Sequence, residues 1–280
     1  MSAASPLAVD EQKADVPLLP ASLFATNPVE QMQVRHLDIC GAPALLFDNI
    51  YRNPIAVRRF ALSLNFLPRG YYPGGYAEVS LPPREILVHV NRLLAPRIGH
   101  ALAFHPHYRG TTFGCIWTRP EDLDPLQRQP HYDYFCDYAG VLFLGPRSGG
   151  GGGTSFWRHR KTGMALAPRA DFNIAERDPA EVEAACRTMG VETLDELMRS
   201  FFDNPDEHLS PGYPLASTSV WELADKVESA FNRLVIFNSS AFHAPFIEGS
   251  PIPFGDFPNQ RLTQNFFFNA VDRPTPEQGR

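Results

Sequence analysis

His131 and Asp133 stand two residues apart, with Tyr132 between them. On an extended chain successive side chains point to opposite faces, so residues two apart share one face. An imidazole nitrogen and a carboxylate oxygen can therefore reach one metal ion from a single strand edge. The pair predicts a metal site that needs a third ligand from elsewhere in the chain.

His243 is the candidate for that third ligand. It follows the apolar run LVIF at 234–237 and the polar turn NSS at 238–240, so we expect it at the end of a buried strand. Two histidines and one carboxylate occupy one face of an octahedron and leave three positions open, as in non-haem iron(II) oxygenases. We expect all three residues to be metal ligands and catalytic. The plainer interpretation is a chance His-x-Asp in which Asp133 orients His131 and His243 is a turn residue.

Arg261 begins the last strong strand pattern, RLTQNFFF at 261–268. Alternation places Arg261, Thr263 and Asn265 on one face, and the apolar neighbours predict a mostly buried strand. A buried arginine needs an anion, and its planar fork matches a carboxylate in two hydrogen bonds. A dicarboxylate that chelates the metal at one end and contacts Arg261 at the other would meet this need, with Thr263 adding a hydroxyl donor. The alternative is a structural ion pair with an Asp or Glu.

Taken together, these motifs resemble the iron(II)/2-oxoglutarate-dependent dioxygenases, nearest to the prolyl-hydroxylase-like branch and its bacterial members without assigned substrates. The resemblance covers roughly residues 35–270, and its motifs from 131 onward are the specific ones. The opening LLFDNIYRNPIAVRRFAL at 45–62 is also similar. The matching motifs are His131-x-Asp133, Gly152-Gly153-Thr154-x-Phe156, His243, Arg261-x-Thr263 and the turn Tyr72-Pro73-Gly74.

The resemblance implies a double-stranded β-helix with iron(II) at its open mouth, held by His131, Asp133 and His243. It also implies 2-oxoglutarate and dioxygen as co-substrates, with Arg261 on the 5-carboxylate and Thr263 beside it. Hydroxylation of an unactivated C–H bond would be the default outcome, and desaturation or ring closure would need only another substrate pose. Two spacings are longer than in compact members, from Asp133 to His243 and from His243 to Arg261.

The elements that must position these residues predict an α+β fold that is mainly β. Helices are expected after Asn53-Pro54 and in PPREILVHVNRLLAPRI at 82–98, with strands dominating after residue 103. The stretch 178–203 predicts a helical insertion, divided near Gly190, that could form a lid together with the loop 246–260. We expect a flexible leader at 1–33, a single domain at 34–280, and an irregular loop in FLPRGYYPGGY at 66–76.

Three other functions fit parts of the sequence. His105-Pro106-His107 resembles the first half of a cupin-type metal site, although the glutamate expected close downstream is missing. A non-catalytic β-sandwich binding module would make the triad fortuitous. A hydrolytic zinc enzyme accepts the same ligands, yet neither Gly-x-Ser-x-Gly nor His-Glu-x-x-His occurs in the sequence.

Composition restricts the partners and the compartment. A net charge of −6 gives no basic field for nucleic acid or an anionic membrane. The start of the chain lacks a signal-peptide pattern, and no apolar run has the length that spans a bilayer. The four cysteines have neither zinc-site nor redox spacing. We therefore expect a cytoplasmic protein acting on a small molecule or an amino-acid derivative.

Overall fold

The structure is a computed structural model, and it describes residues 22–68, 70, 72–81, 83–106, 111–145, 152–168, 178–249 and 261–271. Within these ranges lie four α-helices: α1 (Pro54–Leu62), α2 (Arg84–Ile98), α3 (Pro179–Met189) and α4 (Leu194–Ser200). The strands are β1 (Gln33–Ile39), β2 (Ala42–Asp48), β3 (Leu67–Pro68), β4 (Gly74–Val79), β5 (Leu102–Phe104), β6 (Thr111–Ile116), β7 (Tyr138–Phe143), β8 (Gly152–His159), β9 (Trp221–Glu228), β10 (Arg233–Asn238), β11 (His243–Ile247) and β12 (Arg261–Ala270).

The strands form two sheets in which every pairing is antiparallel. The larger sheet has the order β1-β2-β10-β7-β12-β6-β4-β3, with β5 paired to β12. The smaller sheet has the order β11-β8-β9. The prediction of a mainly β fold with flanking helices is confirmed.

The larger sheet is buried on both faces, and the alternation of its side chains shows how. On β10, Leu234 and Ile236 join the cluster that contains helix residues such as Val57. Val235 and Phe237 join a second cluster with the smaller sheet. Because neighbouring residues point to opposite faces, one apolar strand serves both layers. A helical layer thus covers one face of the larger sheet and the smaller sheet covers the other.

Local signals in the sequence set the helix boundaries. The Asn53 side chain accepts a hydrogen bond from the Ala56 amide at 3.1 Å, and Pro54 occupies the first turn of α1. Helices α3 and α4 lie where the insertion was predicted, and Gly190, with a φ of 74°, ends the first of them. They pack against Trp157 and Trp221 of the smaller sheet.

The segment 66–76 is irregular only in part. Leu67–Pro68 form β3 and the segment from Gly74 onward begins β4, so these residues are not the loop that the glycines and prolines predicted. A Cβ added at Gly74 would lie 2.0 Å from the Cys115 carbonyl oxygen, and one at Gly75 would lie 2.4 Å from the Trp117 ring. These glycines therefore permit close approach to neighbouring chain within a sheet, a role that resembles a turn signal in the sequence.

The later part of the predicted leader is packed against the domain. The Thr26 amide and hydroxyl donate to the Glu85 carboxylate of α2 at 2.6 and 2.8 Å, and the Asn27 amide donates to the Tyr51 carbonyl. Residues 1–21 of that leader lie outside the described residues. No helix in the described ranges has the length and apolar character to cross a bilayer. All four cysteines are free thiols.

Candidate metal centre

His131 and His243 face each other across an isolated antiparallel bridge. The His131 amide donates to the His243 carbonyl at 2.8 Å, and the His243 amide donates back at 2.7 Å. The two imidazole rings lie 4.4 Å apart, measured between centroids. Residues 112 positions apart in the chain are therefore fixed as direct neighbours by the backbone itself.

Asp133 completes the group from the same segment as His131. Its amide donates to the Ser239 carbonyl at 2.9 Å, and its Oδ2 lies 3.7 Å from Nε2 of His243. The ring of Tyr132 packs away from the metal group, stacked on Phe202 at 5.9 Å. One potential ligand atom from each of the three predicted residues lies within 4.8 Å of the others.

His243 begins β11 rather than ending the apolar strand that precedes it. That strand, β10, belongs to the larger sheet, whereas β11 belongs to the smaller one. The turn between them is a corner at which the chain passes from one sheet to the other. The Ser239 hydroxyl stabilises this corner by donating a hydrogen bond to the Cys136 carbonyl. The corner brings His243 opposite His131.

The tautomer of His243 follows from its hydrogen bond. Its Nδ1 lies 2.8 Å from the Ala241 carbonyl oxygen, which can only accept, so Nδ1 carries the hydrogen. The lone pair then sits on Nε2, the atom nearest Asp133. A carbonyl acceptor on the second ring nitrogen is the usual way in which a protein orients a metal-binding histidine.

Both imidazoles are held neutral. Burial lowers the pKa of His243 to about 4, against a smaller opposing effect of the Ala241 carbonyl. Burial and the neighbouring His243 lower the pKa of His131 to about 4, although Asp133 opposes them. The His131 ring remains accessible from the cavity, yet protein atoms surround its other sides. Neutral imidazole is the form that binds a metal ion.

The segment that carries His131 is not part of a long strand, and side-chain hydrogen bonds hold it to the helical insertion. The Gln129 amide donates to the Phe202 carbonyl at 3.2 Å, and its oxygen accepts from Asn204 at 3.1 Å. Arg128 forms an ion pair with Asp206 at 2.9 Å. The insertion and the residues just after it therefore hold the segment that precedes His131.

The triad lines a cavity of about 650 Å³ between the two sheets. Alternate residues of β12 form one wall, as predicted: Arg261, Thr263, Asn265 and Phe267 line the cavity. The intervening Leu262 and Phe266 belong to the core on the helical side. Helix α4 and the residues after it contribute Met198, Arg199 and Phe202, so part of the predicted lid borders the cavity. The residues 250–260 of the second predicted lid lie outside the described residues.

Arg261 lines the end of this cavity near Gly153, and it has no carboxylate partner in the part of the chain that the structure describes. Its Nη2 donates to the Gly153 carbonyl at 3.0 Å, and its Nε is buried without a hydrogen-bond partner. Burial lowers the pKa of Arg261. The Thr263 hydroxyl lies 3.5 Å from the Gly114 carbonyl, too far for a strong hydrogen bond. The Arg261 guanidinium and the Thr263 hydroxyl can therefore both donate hydrogen bonds to a bound anion.

Tyr72 is a residue of this end that sequence reasoning did not assign. Its ring stacks on Tyr76 with centroids 4.1 Å apart, and its buried hydroxyl makes no hydrogen bond of good geometry. Burial raises the pKa of Tyr72 to about 12, although Arg261 and Thr263 oppose the shift. The signal in the sequence, Tyr72-Pro73-Gly74, predicts only a turn because nothing in it indicates proximity to β12.

His105, the first residue of the cupin-type alternative, lies beside Phe267 and Phe135 and is not part of the metal group. Its amide donates to the Phe267 carbonyl at 2.9 Å, and its ring lies 5.7 Å from that of Phe135. His107 lies outside the described residues. Among those that the structure places, His131, Asp133 and His243 form the sole group of three potential ligands this close together. The alternative pair therefore gains no third ligand from them.

Comparisons with known proteins found one family. The model of a family of unknown function, DUF6445, matches residues 28–268. No curated protein matches the chain significantly. The solved structure of SnoK, a non-haem α-ketoglutarate-dependent carbocyclase from nogalamycin biosynthesis, is similar at 11% identity and a TM-score of 0.40, with 84% of each chain covered. HygX from Streptomyces hygroscopicus, solved with nickel and 2-oxoglutarate, is similar at 11% identity and a TM-score of 0.35, with 84% of this chain and 85% of that chain covered. Similarity at this level assigns no activity to the present chain.

Proposed function

The chain belongs to the DUF6445 family, whose function is unknown, and we propose that it is a non-haem iron(II) oxygenase with 2-oxoglutarate and dioxygen as co-substrates. One observation carries the proposal. A His-Asp-His group and Arg261, which has no carboxylate partner among the described residues, line the same cavity, and Asp133 is the one carboxylate among the described lining residues. A metal ion would bind to the His-Asp-His group, and a dicarboxylate bound to that ion would place an anion against Arg261.

The donor set fits iron(II). His131 and His243 offer two neutral imidazole nitrogens, Asp133 offers one carboxylate oxygen, and these ligands leave positions open on the cavity side. Held by these three residues, iron(II) would supply the 2-oxoglutarate-dependent oxidation of an unactivated C–H bond, with hydroxylation as the default outcome. The protein's own task is to orient the three ligands and to exclude bulk water from the cavity.

Arg261 and Thr263 are the residues that we propose for the distal carboxylate of 2-oxoglutarate. His243 pairs with Phe156 of β8, and Arg261 donates to Gly153, three residues along the same strand. Three residues of extended chain span about 10 Å. A five-carbon dicarboxylate is roughly 5–6 Å long by standard bond lengths, and the reach of the histidine and arginine side chains accounts for the remainder.

The proposed fold is a double-stranded β-helix, in which two packed antiparallel sheets hold the metal at one open end. The change of sheet between β10 and β11, immediately before His243, supports this topology. The proposed substrate is a small molecule or an amino-acid derivative, because the cavity has the size of a drug-sized ligand site and the net charge of −6 gives no field for nucleic acid.

Anaerobic spectroscopy tests the proposal directly. Adding iron(II) and 2-oxoglutarate to the full chain should produce a metal-to-ligand charge-transfer band in the visible region. The band should be absent in His131→Ala, Asp133→Ala and His243→Ala. His36→Ala is the matched control, because His36 is exposed on β1.

Turnover separates the oxygenase from its alternatives. Exposed to air, the wild-type complex should convert 2-oxoglutarate to succinate slowly even without substrate, and the three ligand variants should not. A binding module would bind no iron at this site. A zinc hydrolase would bind metal at the triad but form neither the band nor succinate, and either result would refute the proposed function.

A further inference from the structure

We propose that the primary substrate of this cavity is a small organic anion with an aromatic or other apolar body, and that Arg199 binds its anionic group. The inference rests on the proposed function, because it concerns the space that the metal and 2-oxoglutarate leave free. In this proposal the helical insertion, through Arg199, selects the substrate by its charge.

The wall of the cavity between the triad and the insertion is mainly apolar. Aromatic side chains and a methionine dominate it, including Tyr132, Tyr134, Phe135, Met198, Phe202 and Phe267. Phe135 and Phe267 form an edge-to-face pair with centroids 4.8 Å apart. Such a wall stabilises an apolar body through burial and aromatic contacts. It offers little to a sugar or another strongly hydrated molecule.

Polar groups in this part of the wall are largely engaged with protein. The Gln129 amide is bonded at both ends, to Phe202 and Asn204. The Gln127 oxygen accepts from the Asp124 amide. Asp133 is the single carboxylate among the described lining residues, and it faces His243. A substrate ammonium group would therefore find no second carboxylate in the described wall.

Besides Arg261, Arg199 is the one arginine or lysine among the described residues that line the cavity. It lies in the last turn of α4, it is exposed, and it lines the cavity. Its Nε donates to the Asp195 carbonyl at 3.2 Å, and its two terminal amino groups make no hydrogen bond with the residues that the structure places. The nearby Glu196 carboxylate attracts Arg199 electrostatically, but its hydrogen bonds come from the amides of Glu192 and Thr193. The planar end of Arg199 is thus available for a carboxylate.

Arg261 cannot perform the same task when 2-oxoglutarate is bound, since both would need one guanidinium. Arg261 lies on β12 and reaches Gly153 of β8, whereas Arg199 lies on the insertion beside Phe202. The described lining residues therefore supply one arginine for each of two anions. The co-substrate and the substrate would enter with their charges at separate ends.

Calorimetric titration with three matched probes tests the inference. The probes are 3-(2-naphthyl)propionate, its uncharged amide and the corresponding propylamine, added to the full chain with zinc(II) and saturating 2-oxoglutarate. The carboxylate should bind roughly tenfold more tightly than the amide, and the amine should bind least. Arg199→Gln should reduce the affinity of the carboxylate to that of the amide and leave the affinity of the amide unchanged. Arg187→Gln, an exposed arginine of α3 outside the cavity, should behave as wild type.

A second variant separates this inference from the proposed function. Arg261→Gln, titrated without 2-oxoglutarate, should still prefer the carboxylate probe, even if the iron(II) test fails. Equal affinity for the three probes would overturn the inference. So would a preference that survives in Arg199→Gln but disappears in Arg261→Gln, because the anion would then occupy the co-substrate end. Tighter binding of a naphthyl-bearing decapeptide than of the free carboxylate would overturn it in favour of a polypeptide substrate.

Discussion

The guanidinium of Arg261 donates to the backbone carbonyl of Gly153 at 3.0 Å, and this contact joins the two sheets at the end of the cavity. A carbonyl satisfies part of a cation's hydrogen-bonding capacity but none of its charge. Arg261 is therefore positioned by the protein and left without a counter-ion among the described residues. That arrangement favours a binding role over a structural one, and the difference can be measured.

Replacing Arg261 by methionine should separate stability from ligand binding. We expect the free energy of unfolding without ligands to equal or exceed that of wild type, because a buried charge without a partner destabilises the folded state. The affinity for 2-oxoglutarate should fall about 100-fold, because a charge-assisted bidentate contact is lost. Urea unfolding and calorimetry measure the two quantities.

Arg233→Met is the control for this comparison. Arg233 is also partly buried, but it pairs with the Asp48 carboxylate, with Nη2 to Oδ2 at 3.0 Å. Its replacement should lower the free energy of unfolding by about 1–2 kcal/mol, because the Asp48 carboxylate loses its nearer partner and keeps only the more exposed Arg35, at 3.4 Å. Equal destabilisation by the two substitutions would make Arg261 a structural residue.

Gly114→Ala should block the co-substrate end without affecting the metal. A Cβ at this position would lie 2.5 Å from the Tyr72 hydroxyl and 3.1 Å from the Thr263 hydroxyl. Tyr72 is stacked on Tyr76 and cannot easily withdraw, so the methyl group should displace the donors around Arg261. We expect the dissociation constant for 2-oxoglutarate to rise more than about tenfold. Cobalt(II) affinity should change less than twofold. Gly145→Ala, where an added Cβ meets no atom within 4 Å, is the control.

Gln129 is a positioning residue for the metal ligands, and Gln129→Ala should weaken metal binding without removing a ligand. The substitution deletes the hydrogen bonds that join the segment before His131 to Phe202 and Asn204. Loss of such supporting contacts typically lowers metal affinity by about tenfold or more. Cobalt(II) titration by visible absorption measures it, with Gln33→Ala on the exposed edge strand as control. An unchanged affinity would mean that the bridge to His243 suffices.

The pH dependence of stability should depend on His159, a buried residue outside the metal group. Its ring lies between Phe201 and Trp221, and burial, aided by Lys161, lowers its pKa to about 4. Since the unfolded chain takes up a proton near pH 6.5 and the folded chain only near pH 4, stability contributed by neutral His159 is lost as the pH falls between these values. His159→Asn should lose about 1–2 kcal/mol less than wild type between pH 7 and pH 5. Urea unfolding at both pH values measures the difference, and the exposed His36→Asn should match wild type.

Neighbouring residues predicted the pattern within each element. Alternation on β12 predicted that Arg261, Thr263 and Asn265 share a face, and that face lines the cavity. Asn53 and Gly190 marked helix ends because capping and left-handed backbone depend on the residue at that position. Strand alternation and helix ends depend on neighbouring residues, so they can be predicted from the sequence.

Other features depended on which segments meet in space. The glycines at 74 and 75 look like turn residues until Cys115 and Trp117 are seen beside them. Tyr72 carries no mark in the sequence of its place near Arg261 and Thr263. These contacts join strands far apart in the chain, and their register depends on the packing of both sheets.

The metal centre was predictable in part from the sequence and in part only from the packing of distant segments. Residue types and spacing selected His131, Asp133 and His243, because few side chains supply the nitrogen and oxygen donors that such a site needs. Only the tertiary structure placed them within 4.8 Å, through the bridge between His131 and His243. It also fixed the tautomer of His243 through the Ala241 carbonyl and left Arg261 without a carboxylate partner in the described chain. Donor chemistry is a property of single residues, whereas distance, burial and the absence of a counter-ion arise only when separate segments pack together.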